Sequence, residues 1–236
     1  MIEGIGYRKK QKRMVKVKFC GLTREEDIRA VNELHPDYIG FVFAKKSRRY
    51  VSPERAAALK ALLGPGITAV GVFVDEDPCL IAELVSEGII DIPQLHGSES
   101  DEYIHELEEL IVEMKKKALR NGRSFDELTV GIAPMIQAFK IGSIDDVRKA
   151  SRSSADMILL DSGAGSGKEF DWSLLKEIKR PYFLAGGLSA DNARKAIEEL
   201  EPYALDVSSG IETDGFKDKE KMVRFMKNVR DLRTSE

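Results

Sequence analysis

The chain has 236 residues, of which 42% are hydrophobic and 33% charged, and these proportions indicate an ordinary folded protein rather than a disordered one. A net charge of −3 argues against a nucleic-acid binder, and no apolar run approaches the roughly 18 residues of a membrane span. The two cysteines, Cys20 and Cys79, form no CxxC motif. We therefore expect no metal site, no disulfide framework and a reducing, cytoplasmic location.

The first 13 residues are basic and contain five of the 37 Lys and Arg residues but one acid. A strand pattern begins only after Met14. We expect residues 1–13 to be a disordered basic N-terminal extension, or an over-long gene start with Met14 as the first residue, rather than a functional basic arm. Residues 14–236 then form one folded domain.

Eight short apolar runs along the chain predict β-strands. They are residues 15–19, 38–43, 68–74, 89–95, 135–140, 156–160, 182–185 and 203–208. A helix-like stretch follows each of them, and these stretches are residues 23–34, 52–63, 77–87, 99–120, 143–153, 172–178, 189–200 and 217–232. Thr23 and Glu26 are spaced as a capping box at the start of the first helix.

Eight strict alternations of strand and helix predict an α/β fold with a parallel sheet, closed as a single (β/α)₈ TIM barrel. An open doubly wound sheet is the alternative. It would normally carry a glycine fingerprint after the first strand, where this chain has KFCGLTREED with a single glycine. The fourth helical region is unusually long, and we interpret it as a charged helix, a turn at Asn121 and Gly122, and a short extra element.

Polar residues occur where several of the predicted strands end, which in such barrels is the face that carries the chemistry. Alternation along the first strand points Lys18 and Cys20 into the barrel, and an inward lysine requires an anion or a carboxylate. The same reasoning turns four further strand-end groups toward the opening. They are Gln94 and His96 on strand four, Asp161 on strand six, and Asp206 on strand eight.

Three Gly/Ser turns follow strands six, seven and eight, and backbone N–H groups with serine hydroxyls suit a phosphomonoester. The candidate phosphate-binding residues are Gly165, Ser166, Gly167, Gly186, Gly187, Ser208, Ser209 and Gly210. The first turn is not a nucleotide loop, because Ser162 stands where a P-loop has its first glycine and Glu169 where it binds magnesium. After strand two, the basic run AKKSRRY offers Arg49 as a guanidinium for a substrate carboxylate.

In these segments the chain resembles the phosphoribosylanthranilate isomerase family of tryptophan biosynthesis. The resemblance runs from about Val15 to Arg230 and rests on segments that occur in the family's order. They are VKFCGLTREEDI, YIGFVFAKKSRRYVSPE, VGVFV, QLHGSES, LLDSGAGSGKEFDWSLL, LAGGLSADNARKAI and ALDVSSGIE. The sixth loop is several residues shorter than in many relatives, where a longer stretch precedes GSGK.

The resemblance implies an aldose–ketose isomerase that converts N-(5-phosphoribosyl)anthranilate by an Amadori rearrangement. It implies Cys20 as general base, Asp161 as general acid and Arg49 as the ligand of the anthranilate carboxylate. The turns around Gly187 and residues 208–210 would hold the phosphate. Opening an aminoribofuranose and moving one proton needs an acid and a base, so we expect no cofactor. The expected partner is a small phosphorylated anthranilate-ribose substrate, with either a monomer or a homodimer possible.

Three other functions are possible for such a chain. A related histidine-pathway barrel isomerase would be expected to end strand one with aspartate rather than Cys20. A non-catalytic phosphosugar-binding barrel would have been suggested by the loss of Cys20 or Asp161, and both are present. A thiol hydrolase would need a nucleophile, base and oxyanion pattern that the chain does not show.

Overall fold

The computed structural model describes residues 14–121, 133–163 and 172–231, and within them eight parallel strands close into a barrel. Each strand pairs with its neighbours in chain order, and the eighth pairs with the first. The strands are β1 (Lys16–Cys20), β2 (Tyr38–Val42), β3 (Thr68–Phe73), β4 (Ile92–Leu95), β5 (Ile136–Lys140), β6 (Met157–Asp161), β7 (Tyr182–Ala185) and β8 (Ala204–Val207). The predicted single TIM barrel is confirmed, and the open sheet is excluded.

Helices lie between the strands and cover the barrel. They are α1 (Glu25–Leu34), α2 (Pro53–Ala61), α3 (Pro78–Ser86), α4 (Asp101–Arg120), α5 (Ile144–Arg152), a 3-10 helix (Trp172–Glu177), α6 (Ala193–Leu200) and α7 (Lys219–Arg230). No helix in the described ranges is long and apolar enough to cross a membrane. Several sequence predictions fall outside these ranges: residues 1–13, the element after Gly122, and the phosphate candidates Gly165, Ser166 and Gly167.

Two local predictions need correction. The first helix is capped one residue later than Thr23 and Glu26 indicate. Asp27 reaches back to accept hydrogen bonds from the backbone N–H groups of Thr23 and Arg24, at 2.9 and 3.0 Å. Ser189 does not begin α6, because its N–H donates to Asn192 Oδ1 and the helix starts at Ala193. In both places a side chain three or four residues downstream satisfies the backbone first.

The core has two layers, as the alternation of side chains along strands requires. Val17 and Phe19 of β1 belong to the larger layer between sheet and helices. The smaller layer fills the barrel itself, and its buried members are Tyr38, Val70, Ile92, Ile136, Ala138, Leu159, Phe183, Ala185 and Ala204. Tyr38 and Tyr203 place their hydroxyl oxygens 3.0 Å apart at the end of the barrel where the strands begin. Apolar and aromatic groups thus fill the lower barrel, and polar groups collect at the other end.

A short hairpin after β8 has no counterpart in the predicted elements. Strands β9 (Glu212–Thr213) and β10 (Phe216–Lys217) pair antiparallel around a two-residue turn. Asp214 and Gly215 have φ angles of 52° and 87°, which is the backbone of a type I′ turn. The Asp-Gly pair is a strong hairpin signal, and the sequence segment TDGF carries it. The hairpin brings Glu212 and Lys217 into register opposite each other.

Gly210 ties the loops after β7 and β8 together. A Cβ atom at this position would collide with the carbonyl oxygen of Leu188. We expect Gly210→Ala to lower the free energy of unfolding by about 1–3 kcal/mol, because one of two backbones must move. Gly142→Ala is the control, since the nearest atom to its added Cβ is Asp146 Oδ2 at 3.8 Å. Thermal unfolding of both variants checks this, and an equal, small change in both would contradict it.

Candidate active site

The floor of the barrel mouth is a buried ion pair beneath a thiol. Lys18 of β1 is fully buried, and its Nζ donates to Asp206 Oδ2 of β8 at 2.9 Å. The two residues are direct register partners where β8 closes against β1. Lys18 therefore has the carboxylate partner that the sequence predicts for an inward lysine. The same pair lies below Cys20, the last residue of β1.

The charges of the floor act on the thiol. Burial alone would lower the pKa of Lys18, but the carboxylate of Asp206 outweighs it and raises that pKa above its ordinary value. Loss of solvation raises the pKa of Cys20 above the ordinary thiol range, although Lys18 and Lys217 oppose it. In the free protein Cys20 is therefore a protonated thiol at neutral pH. A reaction that uses it as a base must draw on the nearby cations.

Backbone contacts hold Cys20 in place. Gly40 of β2 lies opposite it in register, and a Cβ on Gly40 would come 2.7 Å from the Cys20 sulfur. The missing side chain at Gly40 thus makes room for the thiol. From the other side, Ser208 Oγ donates to the Cys20 carbonyl oxygen at 2.9 Å. This predicted phosphate ligand therefore also links the end of β8 to the end of β1.

The second group at the mouth is a carboxylate at the end of β6. Asp161 Oδ1 accepts a hydrogen bond from the N–H of Gly163 at 2.8 Å, and Oδ2 lies 3.7 Å from His96 Nε2. His96 Nδ1 is 3.2 Å from Gln94 Nε2. The predicted residues of strands four and six therefore form one connected set. In the barrel Asp161 is three strands away from Cys20, through β7 and β8.

Asp161 has the protonation state opposite to that of the thiol. The contact with His96 holds its pKa below the ordinary carboxyl range, with help from the Gly163 N–H, although burial opposes the shift. Asp161 is thus an ionised carboxylate at neutral pH. Gly186, a phosphate candidate, lies directly against it, because an added Cβ would be 2.6 Å from Asp161 Oδ1. Its φ of 92° and this close approach both require glycine.

Two buried oxygens at the mouth are acceptors without a donor among the described residues. They are Gln94 Oε1 and Asp206 Oδ1. Buried polar atoms of a folded protein are normally satisfied, and at a site the missing partner is often a ligand or water. Gln94 and Asp206 therefore fit hydroxyl groups of a ligand better than they fit an apolar one.

The glycine and serine loops after β7 and β8 lie side by side. Gly210 approaches the Leu188 carbonyl, and Asn192 Nδ2 donates to the Gly187 carbonyl oxygen at 2.9 Å. Gly187 and Ser209 are exposed, and Ser208 and Gly210 are partly so. The two loops thus present neighbouring backbone at one side of the mouth. Backbone N–H groups of such turns are the groups that bind phosphate in barrels of this kind.

Arg49 belongs to a charged network around Glu212 that was not predicted from the sequence. Its Nε and Nη2 donate to the two carboxylate oxygens of Glu212, at 2.6 and 2.9 Å. Arg48 Nη2 donates to the same carboxylate at 2.6 Å and Lys217 Nζ at 2.7 Å. Lys217 Nζ also donates to the Ser208 carbonyl oxygen at 3.0 Å. Burial raises the pKa of Glu212, but Arg49 and Lys217 outweigh it and lower that pKa to about 2.

The missed residues share one sequence signal. Glu212 and Lys217 flank the Asp-Gly pair at 214–215, and opposite charges placed across a two-residue hairpin predict a cross-strand pair. The sequence predicts a final helix from Lys217 onward, which would place this residue on a helix rather than on a hairpin strand. In the structure α7 begins at Lys219. Lys217 therefore lies before the helix, and its side chain, which is only 2% exposed, points into the site.

Comparison with known proteins finds one family that matches nearly the whole chain. A family model described as N-(5'phosphoribosyl)anthranilate (PRA) isomerase matches residues 17–133 and 123–228. The N-(5'-phosphoribosyl)anthranilate isomerase of Clostridium acetobutylicum is 42% identical over 226 residues, which is 92% of this chain and 98% of that protein. The protein of the same name from Endomicrobium trichonymphae is 40% identical over 224 residues, 93% of this chain and all of that one.

Solved structures agree with these sequence relatives. The phosphoribosyl anthranilate isomerase of Thermotoga maritima superposes with a TM-score of 0.74 and 36% identity, over 93% of this chain and all of that one. A phosphoribosyl anthranilate isomerase in complex with reduced 1-(o-carboxyphenylamino)-1-deoxyribulose 5-phosphate superposes with a TM-score of 0.72 and 35% identity, with the same coverage.

The buried pair at the floor leads to a prediction about stability. Asp206→Asn leaves the Lys18 ammonium without its counter-charge, and we expect the free energy of unfolding to fall by about 3–5 kcal/mol. Urea denaturation followed by circular dichroism measures it. Asp191→Asn removes an exposed partner of Arg224 and should leave the midpoint unchanged. A midpoint for Asp206→Asn equal to that of the control would contradict the prediction.

Proposed function

The chain belongs to the N-(5'-phosphoribosyl)anthranilate isomerase family, and on that premise we propose which of its residues carry the reaction. It is an enzyme of tryptophan biosynthesis that isomerises N-(5'-phosphoribosyl)anthranilate to the corresponding carboxyphenylamino-deoxyribulose phosphate. The proposal assigns the base to Cys20 and the acid to Asp161. The observation that carries it is that these two groups end β1 and β6 on different sides of one polar mouth.

The reaction divides into two proton transfers. Asp161 delivers a proton to the ring oxygen of the aminoribofuranose, which breaks the C1–O bond and leaves a protonated imine, because the nitrogen keeps its hydrogen. Cys20 then removes the proton from the second sugar carbon, and the electron pair moves to give the enamine that becomes the ketose. Each positioned transfer contributes about 10²–10⁴-fold to the rate. Neither transfer changes the oxidation state of the protein or calls for a bound cofactor.

The phosphate and the carboxylate lie at opposite ends of the substrate, and we assign each to polar groups of the same mouth. We assign the sugar phosphate to the loops at Gly187 and residues 208–210, and the anthranilate carboxylate to Arg49. Gln94 and Asp206 offer their unpartnered oxygens to the ribose hydroxyls. His96 and Lys18 complete the polar lining, His96 beside Asp161 and Lys18 beneath Cys20. An anionic substrate at this position also raises the pKa of Asp161, which favours its acid form.

The expected outcome of removing either catalytic group is a large loss of turnover. Cys20→Ala and Asp161→Asn should each lower kcat by about 10²–10⁴-fold. The measurement is the decay of fluorescence of freshly generated N-(5-phosphoribosyl)anthranilate. Cys79→Ala is the matched control for the thiol, because Cys79 is exposed and lies on α3 rather than on a strand that lines the mouth. Full activity of Asp161→Asn would exclude Asp161 as the acid.

The pKa shifts predict an unusual pH profile. The free protein holds one proton on the pair, as thiol and carboxylate, whereas the reaction needs thiolate and carboxylic acid. These two forms carry the same number of protons, so their ratio does not change with pH. We therefore expect kcat/KM to stay level across the neutral range, about pH 6 to 8.5, after correction for the substrate phosphate, whose pKa is about 6.

The pH range over which kcat/KM stays constant is limited by the pKa values of Asp161 and Cys20, and the direction of each pKa shift indicates where the range ends. Activity falls at low pH when Asp161 is protonated and Cys20 stays a thiol, below the ordinary carboxyl range. It falls at high pH when both groups are ionised, above the ordinary thiol range. A tenfold rise of kcat/KM per pH unit through neutrality would mean that only the thiolate is required. That result would refute Asp161 as the acid.

A further inference from the structure

Glu212 is buried at the rim of the mouth, and four donors surround its carboxylate. Only 5% of its side chain is exposed, and both of its oxygens accept two hydrogen bonds each. The donors belong to three cations from two loops, so the cluster has a net charge of plus two. A carboxylate this well satisfied costs little to keep ionised in the fold. Its bonds to Arg49 are the ones that bear on the substrate.

The position of Arg49 is tightly limited on its other side. Its side chain lies across Gly21, where an added Cβ would collide with Arg49 Cδ. Gly21 directly follows Cys20, so the guanidinium is held close to the thiol. The backbone beside it is anchored by a bridge between Val42 and Tyr50. Glu212 fixes the remaining freedom of this side chain, which is the rotation of the guanidinium plane.

A guanidinium can bind a carboxylate through either of two edges. One edge carries Nε and Nη2, and the other carries Nη1 and the second proton of Nη2. Glu212 occupies the first edge with both of its oxygens. The second edge is therefore the one presented to a ligand. Because two carboxylates on one guanidinium lie in its plane, the orientation of Glu212 determines the direction from which a ligand carboxylate approaches.

We propose that Glu212 is a positioning residue that selects substrates carrying a ring carboxylate, by turning the outer edge of Arg49 toward that group. The proposal rests on the proposed role of Arg49. The hairpin of β9 and β10 supports it, because Lys217 and Arg48 hold the Glu212 carboxylate from the other sides. Lys221 Nζ also donates to the Glu212 backbone carbonyl at 2.6 Å, which fixes the residue at its base.

If Glu212 acted only through its charge, its removal would change the affinity for an anionic ligand in the opposite direction from a loss of positioning. This difference makes the proposal testable. Glu212→Gln removes a negative charge near an anion site, so simple electrostatics would tighten the binding of an anionic ligand. Loss of positioning would weaken it, because Arg49 no longer presents a fixed edge. The sign of the change therefore separates the two explanations. Glu198→Gln removes the same charge from an exposed position on α6 and serves as the control.

The experiment uses two ligands and isothermal titration calorimetry. One is reduced 1-(o-carboxyphenylamino)-1-deoxyribulose 5-phosphate, and the other is its phenyl counterpart without the carboxylate. The wild type should bind the carboxylated ligand about 10- to 100-fold more tightly than the phenyl one. Glu212→Gln should reduce that ratio to less than about threefold, mainly by weakening the carboxylated ligand. In an Arg49→Met background, Glu212→Gln should change the ratio no further.

Several outcomes would overturn the proposal. A Glu212→Gln variant that binds the carboxylated ligand more tightly, or that weakens both ligands equally, refutes positioning. A ratio near one in the wild type refutes the role of Arg49 in the proposed function instead. If Glu212→Gln fails to fold, Glu212→Asp replaces it, because it keeps the charge but shortens the reach. The ratio should then fall at least about threefold, and a ratio equal to that of the wild type refutes the proposal.

Discussion

The ion pair between Lys18 and Asp206 crosses the seam where the barrel closes. A lysine ammonium with no exposed surface requires a carboxylate at hydrogen-bonding distance, and here the partner comes from the last strand. The same contact therefore aligns β8 with β1 and sets the charge beneath Cys20. The closure of the fold and the electrostatics of its mouth depend on one interaction. This arrangement also explains why polar residues can occupy the interior of an otherwise apolar barrel.

The thiol and the carboxylate acquire their protonation states from different surroundings. Cys20 loses solvation at the end of β1, whereas Asp161 gains hydrogen-bond donors at the end of β6. Neither state is the one in which an acid and base pair would react. The proton must be redistributed when the substrate arrives, and the anionic groups of the substrate are suited to do this near Asp161. The barrel supplies the positions, and binding supplies the charge that activates them.

The barrel and the inward positions of Lys18, Gln94, His96, Asp161 and Asp206 could be predicted, because alternation in parallel strands determines which side chains share a face. The helix starts at Glu25 and Ala193 could not, since competing side-chain caps a few residues apart look alike in sequence. The Glu212–Lys217 pair had a hairpin signal in the sequence, but the contact of Glu212 with Arg49 could not be predicted for a different reason. It joins loops 163 residues apart, and only the three-dimensional closure brings Arg49 to that carboxylate.

The two-residue turn at Asp214 and Gly215 limits how the region can change in length. Side chains on a two-stranded ribbon alternate between its faces, so inserting or deleting one residue would move either Glu212 or Lys217 to the opposite face. Loops on barrel surfaces usually tolerate insertions well. Here a single-residue change would separate the carboxylate from its cations while leaving every strand intact. Among the loops of this barrel, this one should therefore be unusually intolerant of insertions and deletions.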